Sequence, residues 1–202
     1  MSSKFHFLIR RVHSLMGLLP IGIFLAFHLT LNILATQSVE RYEKVINTMR
    51  ETPGIVLLEV VVIFLPILFH AVYGIIVVYG GGVNTLRYTY FRNWYYVLQR
   101  ATGLLALLFV FYHVYALRVD GETAKATVSA LTDFVKTPFG LIFYIVGVLS
   151  AIFHFANGLW AFLITWGITI GPRSQKISTW ACGGVFVILS VVALKTLVQL
   201  MA

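Results

Sequence analysis

Five long apolar runs, separated by shorter polar connections, organise the 202-residue chain. They lie at roughly 12–35, 55–79, 94–118, 138–168 and 177–200, each above the ~20 residues a helix needs to cross hydrocarbon. The pattern predicts an all-α membrane protein, a five-transmembrane-helix bundle forming a single integral-membrane domain over residues 1–202. Pro20 and Pro66 fall inside the first and second runs and predict kinks there. The fourth run is long enough to tilt or project from the bilayer, with Gly171-Pro172 as its expected stop.

Composition agrees: 59% of residues are hydrophobic and 11% charged, with a mean hydropathy of +0.90. The one cysteine, Cys182, excludes a disulfide or a cysteine-ligated zinc or iron–sulfur site within the chain. It reads as a packing residue. The first run is too long for a signal-peptide core and no A-x-A-like cleavage site follows, so the span is expected to be retained.

The formal charge of +8 raises the question of nucleic acid, but the basic residues sit beside the spans, so no nucleic-acid partner is expected. Lys4, Arg10, Arg11, Arg87, Arg92, Arg100, Arg173 and Lys176 flank one set of helix ends, where no acidic residue occurs. On the other side Arg41, Lys44, Arg50, Arg118, Lys125 and Lys136 are balanced by Glu40, Glu43, Glu51, Asp120, Glu122 and Asp133. The positive-inside rule puts the basic side, and the N-terminus, in the cytoplasm.

Candidate chemistry begins with His28, His70, His113 and His154, one in each of the first four runs. A polar group in hydrocarbon is costly and calls for a function. At about 1.5 Å of rise per residue, His28 and His113 fall roughly 6 and 9 Å outside the midplane. By the same arithmetic His70 and His154 fall a few ångströms inside it, about 11 Å from the outer level. The expected pairs are therefore His28 with His113 (outer) and His70 with His154 (inner), an arrangement suited to two bis-histidine haems.

A parallel internal repeat of helices 1–2 and 3–4 supports the pairing. Leu65-x-x-x-Phe69-His70-x-x-x-Gly74 recurs as Leu149-x-x-x-Phe153-His154-x-x-x-Gly158, and Gly17-Leu18-Leu19 as Gly103-Leu104-Leu105. Gly74 and Gly158, one turn beyond their histidines, are expected to leave room for a flat macrocycle. A single histidine in an apolar helix is more often a hydrogen-bonded core residue than a ligand, but four in two depth-matched pairs favour ligation. Zinc would need further ligands. His6 and His13 have no partner at matching depth and are not read as ligands. Trp94, Trp160, Trp166 and Trp180 read as interfacial or packing residues.

The chain resembles the di-haem cytochrome b (b558-type) membrane anchors of succinate dehydrogenase, of the menaquinone-linked type with one large anchor. The resemblance is carried by Arg10-Arg11-x-His13-Ser14-Leu15-x-Gly17, Phe69-His70-Ala71-Val72-Tyr73-Gly74 and Tyr90-Phe91-Arg92-Asn93-Trp94. A longer run extends from Phe143-Tyr144-Ile145-Val146-Gly147 through Phe153-His154-Phe155-x-Asn157-Gly158-Leu159-Trp160 to Pro172-Arg173-Ser174-Gln175. It implies two haem b, menaquinone as substrate, a flavoprotein and an iron–sulfur subunit docked on the cytoplasmic face, and a bacterial cytoplasmic membrane location. No dicarboxylate or flavin site is read in this chain.

Within that frame Arg10, Arg11, His13, Arg92, Arg100 and Arg173 are placed to meet inner-haem propionates or the docked partner, since guanidinium suits carboxylates. Glu59, the only carboxylate well inside a span, shares the His70 face of a straight helix roughly 16 Å further out. It is the candidate quinone-site acid, against the plainer reading of a helix-end carboxylate reaching water. Two other functions fit the histidines: the di-haem anchor of another dehydrogenase, and a histidine-based proton or ion transporter. The second would usually show inverted repeats and interrupted helices.

Overall fold

The computed structural model describes residues 3–118 and 124–201. Asp120 and Glu122, counted above among the outer charges, lie outside the described residues, as do the side chains of Arg118 and Lys125. Among the described residues every regular element is helical, and five helices are long and apolar enough to cross a membrane: Lys4–Leu34, Ile55–Tyr79, Phe91–Ala116, Pro138–Thr165 and Pro172–Met201.

The first span is two helices, α1 (Ser3–Leu18) and α2 (Pro20–Gln37), parted at Leu19. Pro20 has no N–H to return to the preceding turn, so the helix breaks one residue before it. The second span comprises α4 (Ile55–Glu59), a single π-turn (Val60–Phe64) and α5 (Leu65–Tyr79). Leu65 N–H bonds Val60 O, five residues back, so the strain of Pro66 is absorbed by one extra residue in the preceding turn. The third, fourth and fifth spans are α6 (Phe91–Arg118), α8 (Pro138–Thr165) and α9 (Pro172–Met201).

The fourth span stops earlier than expected. Gly167, at φ +72°, closes it with Gly167 N–H on Ile164 O and Ile168 N–H on Leu163 O. That is a Schellman cap, which needs a residue free to adopt the left-handed region. Gly171-Pro172 instead opens α9.

The first and third connections hold two helices that the hydrophobic pattern did not reveal, α3 (Val39–Glu51) and α7 (Ala124–Val135), packed against each other. Both are amphipathic and too short to cross a bilayer. Ser38 caps α3 by accepting the Arg41 N–H at 3.3 Å. Val135, at the end of α7, is fully buried against Phe109, Tyr144 and Leu197.

α8 is the central helix, lying along α6 and α9 and touching α1. Gly140, Tyr144, Gly147, Ser150, Ile152 and Ala156 form its buried face, the small-residue packing that membrane helices use to approach one another. At Gly147 a Cβ would run into the Phe109 ring. Cys182 is buried on α9. Large apolar side chains such as Leu57, Phe111 and Val191 cover the outside, as lipid requires.

Candidate functional site

α5 and α8 bring His70 and His154 together, with ring centroids 6.0 Å apart and planes at 87°. Each ring is held from behind by a helix carbonyl. His70 Nδ1 lies 3.0 Å from His13 O, and His154 Nδ1 lies 2.9 Å from Gln99 O. Both carbonyls also serve their own helices, so the imidazoles take the second lone pair. The residue one turn on from each carbonyl is a glycine, and this explains the access. A Cβ on Gly17 would stand 2.5 Å from His70 Cε1, and one on Gly103 2.7 Å from His154 Cε1. With Nδ1–H donating to a carbonyl, Nε2 of each ring carries the lone pair that a metal needs.

Gly74 and Gly158 solve the same problem in the opposite direction. Gln99 Nε2 donates to His154 O at 3.0 Å, passing Gly158, whose Cβ would meet that nitrogen at 3.3 Å. Gln99 Oε1 accepts from Asn157 Nδ2 at 2.8 Å. Gly74 faces His13 Nε2 at 3.4 Å. The nearest neighbours of these two glycines are therefore the side chains at positions 13 and 99. His13, set aside above as lacking a partner at matching depth, stacks on His70 at 4.1 Å with planes 6° apart. Its Nε2 is buried with no hydrogen-bond partner among the described residues.

The second pair is His28 on α2 and His113 on α6, with centroids 5.8 Å apart and planes at 82°. Each is stacked by a phenylalanine one turn earlier, Phe24 at 5.3 Å and Phe109 at 5.4 Å. Behind His113 stands the buried phenol of Tyr144, with Oη 3.2 Å from Nδ1. No third histidine, cysteine or carboxylate joins either pair into a metal-binding group among the described residues.

The arginines divide by position. Arg11 lies over Phe7 and Trp166 at 4.9 and 5.1 Å, and Trp166 Nε1 donates to Ser14 Oγ at 3.1 Å, tying α8 to α1. Arg92 lies 3.5 Å over Trp160 and donates to Thr179 Oγ1 on α9. Arg100 reaches Val77 O at 3.3 Å and fills the space where a Cβ on Gly81 would be, joining α6 to the end of α5. Arg10 and Arg173 are exposed.

Glu59 does not keep the helical phase expected of it. The π-turn adds one residue between it and His70, rotating it by about 100° from its straight-helix position. Eleven residues here cover what ten cover in α8. Helical arithmetic thus relates Glu59 to His70 as Tyr144 is related to His154. It belongs to the less exposed stripe Ile55, Glu59, Ile63, Pro66 and His70.

The missed residues are Gln99, Tyr144 and the true setting of His13. A signal for two of them was present: His13-x-x-x-Gly17 and Gln99-x-x-x-Gly103 share one spacing. The roles lie in the backbone carbonyls, so differing side chains concealed the match.

Comparison with known proteins agrees with this architecture. Residues 84–193 match the family described as succinate dehydrogenase/fumarate reductase transmembrane subunit. The chain is 45% identical over 198 residues to the succinate dehydrogenase cytochrome b558 subunit of Bacillus subtilis, covering 98% of each. It is also 36% identical over 105 residues to the succinate dehydrogenase 2 membrane subunit of Mycobacterium tuberculosis, across 50% of this chain and 72% of that one. A match from end to end at such identity, on a five-span bundle with paired intramembrane histidines, leaves one assignment: the chain belongs to the family of succinate dehydrogenase/fumarate reductase transmembrane subunits.

Proposed function

We propose that the chain is the membrane anchor and electron-transfer subunit of a bacterial succinate:menaquinone oxidoreductase, with two haem b held between facing histidines. His70 and His154 would hold the inner haem iron, and His28 and His113 the outer. The observation that carries this reading is the paired geometry. Two metal–imidazole bonds of about 2 Å, added to the distance from each ring nitrogen to its centre, give a centroid separation of about 6 Å. The separations of 6.0 and 5.8 Å match it. The Nδ1 contacts of His70, His154 and His113 add support, because a ligating histidine usually hydrogen-bonds through its other nitrogen.

Haem b, when bound, supplies one-electron exchange, with a potential tuned by ligation and burial. The chain supplies the rest. Its basic, N-terminal face lies in the cytoplasm, where a flavoprotein and an iron–sulfur subunit dock. Arg10 and Arg173, exposed there, meet the docked partner. Arg11, Arg92 and Arg100 brace the cytoplasmic helix ends and offer charge to the partner or to the inner propionates. His13 Nε2, buried and with no hydrogen-bond partner among the described residues, is the further propionate contact. Gly74 and Gly158 serve the inner haem indirectly, by admitting the groups that orient its ligands.

Glu59 is the only carboxylate within the five spans and stands at the outer level, where it would serve quinone protonation. With the quinone outside, succinate oxidation sends two charges across the membrane. That transfer draws about 4.6 kcal/mol per 100 mV from the membrane potential. Fumarate reduction by menaquinol uses the same parts in reverse.

The test is a reduced-minus-oxidised spectrum with a haem-to-protein ratio on the purified complex. Two b haems per chain are expected. A fully folded complex without haem would overturn the proposal and return the histidines to a packing or proton-relay role.

A further inference from the structure

We propose that Tyr144 is the positioning residue of the outer site, fixing the tautomer and ring orientation of His113. The inference rests on the haem reading above and extends it to a residue outside the ligand set. Tyr144 is 4% exposed, and its hydroxyl has His113 Nδ1, at 3.2 Å, as its hydrogen-bond partner among the described residues. The ring is fixed on several sides, with Phe109 at 5.3 Å and Phe134 of α7 at 6.0 Å. The phenol oxygen therefore has little freedom to leave Nδ1.

The direction of this hydrogen bond follows from ligation. A phenol can donate or accept, and a neutral imidazole carries its proton on one nitrogen only. If Tyr144 donates to Nδ1, the proton sits on Nε2 and that nitrogen cannot bind iron. If Nδ1–H donates to Tyr144, Nε2 is free. Ligation through Nε2 thus requires Tyr144 to accept, and acceptance increases the electron donation of the imidazole. At the inner site backbone carbonyls, which only accept, do this for His70 and His154. At the outer site the function rests on a side chain that a single substitution removes.

The experiment is Tyr144→Phe in the intact three-subunit complex, with Tyr112→Phe as control. Tyr112 belongs to the same aromatic cluster, and its hydroxyl has no hydrogen bond to either pair. The readouts are haem stoichiometry, low-temperature paramagnetic resonance of the low-spin signals, and a redox titration resolving two components. The outer component is identified as the one that His28→Met perturbs.

Tyr144→Phe is expected to keep both haems or lose the outer one alone. Where both remain, it should shift the resonance of the outer component and raise its midpoint potential, leaving the inner component and the control unchanged. An unshifted outer component, an equal shift in both, or loss of both haems would overturn the proposal. A wild-type complex without haem would instead refute the underlying function.

Discussion

The two histidine pairs have nearly the same ring separation but are supported by different parts of the chain. Behind the inner pair stand main-chain carbonyls of His13 and Gln99, reached past Gly17 and Gly103. Behind the outer pair stand side chains, Phe24 and Phe109 against the rings and Tyr144 on one nitrogen. A backbone acceptor has one role and is indifferent to the residue that carries it, provided the neighbouring glycine stays. A side-chain prop is adjustable by substitution and can reverse its hydrogen bond. The inner site is thus fixed by where the helices run, and the outer site by which aromatic residues they carry.

The largest effects should come from the ligands. His70→Leu is expected to remove the inner haem and His28→Leu the outer, each halving the haem-to-protein ratio of the purified complex. Loss of both haems from either variant would show that the sites assemble as one unit, and the contrast drawn above would fail.

Next come the glycines. Gly103→Ala places a methyl 2.7 Å from His154 Cε1 and should cost about 1–3 kcal/mol of overpacking, with partial loss of the inner haem on heating. Gly158→Ala meets only the end of Gln99, at 3.3 Å, and should retain more haem. Equal behaviour of the two would remove the case for carbonyl access.

A smaller effect is expected from Gln99→Leu. It keeps the carbonyl but strips the side-chain bonds to His154 O and Asn157. Both haems should remain, with the complex destabilised by about 1–3 kcal/mol in thermal denaturation. Smallest is Ser38→Ala, which removes the α3 cap at about 1 kcal/mol. It should increase hydrogen exchange in α3 while both haem spectra stay as they are.

Much of this was legible in the residues. Hydropathy marked the spans because hydrocarbon demands an uninterrupted apolar helix. Depth counting paired His28 with His113 and His70 with His154, the pairs whose rings the fold brings within about 6 Å. His13 was named as a candidate propionate contact, but its carbonyl behind His70 and its stacking on that ring were not foreseen. The reason is that the only trace of the carbonyl contact in the sequence is the spacing to Gly17. α3 and α7 were read as charged connections because twelve or so mixed residues fall below any membrane-span threshold.

Pro66 shows where counting stopped working. The proline was visible and so was a kink, but whether a helix answers with a bend or an extra residue depends on what packs around it. The π-turn was the outcome, and it moved Glu59 to the phase Tyr144 holds on α8.

The sequence by itself determined that five helices cross the membrane and how His28, His70, His113 and His154 pair, since both follow from transfer free energy and a fixed rise per residue. His13, by contrast, placed at no matching depth, stacks on His70. Only the tertiary structure decided which face each helix turns inward and which carbonyl or hydroxyl stands behind each histidine. Those depend on sub-ångström access between neighbouring helices, which a glycine permits and a single methyl group prevents.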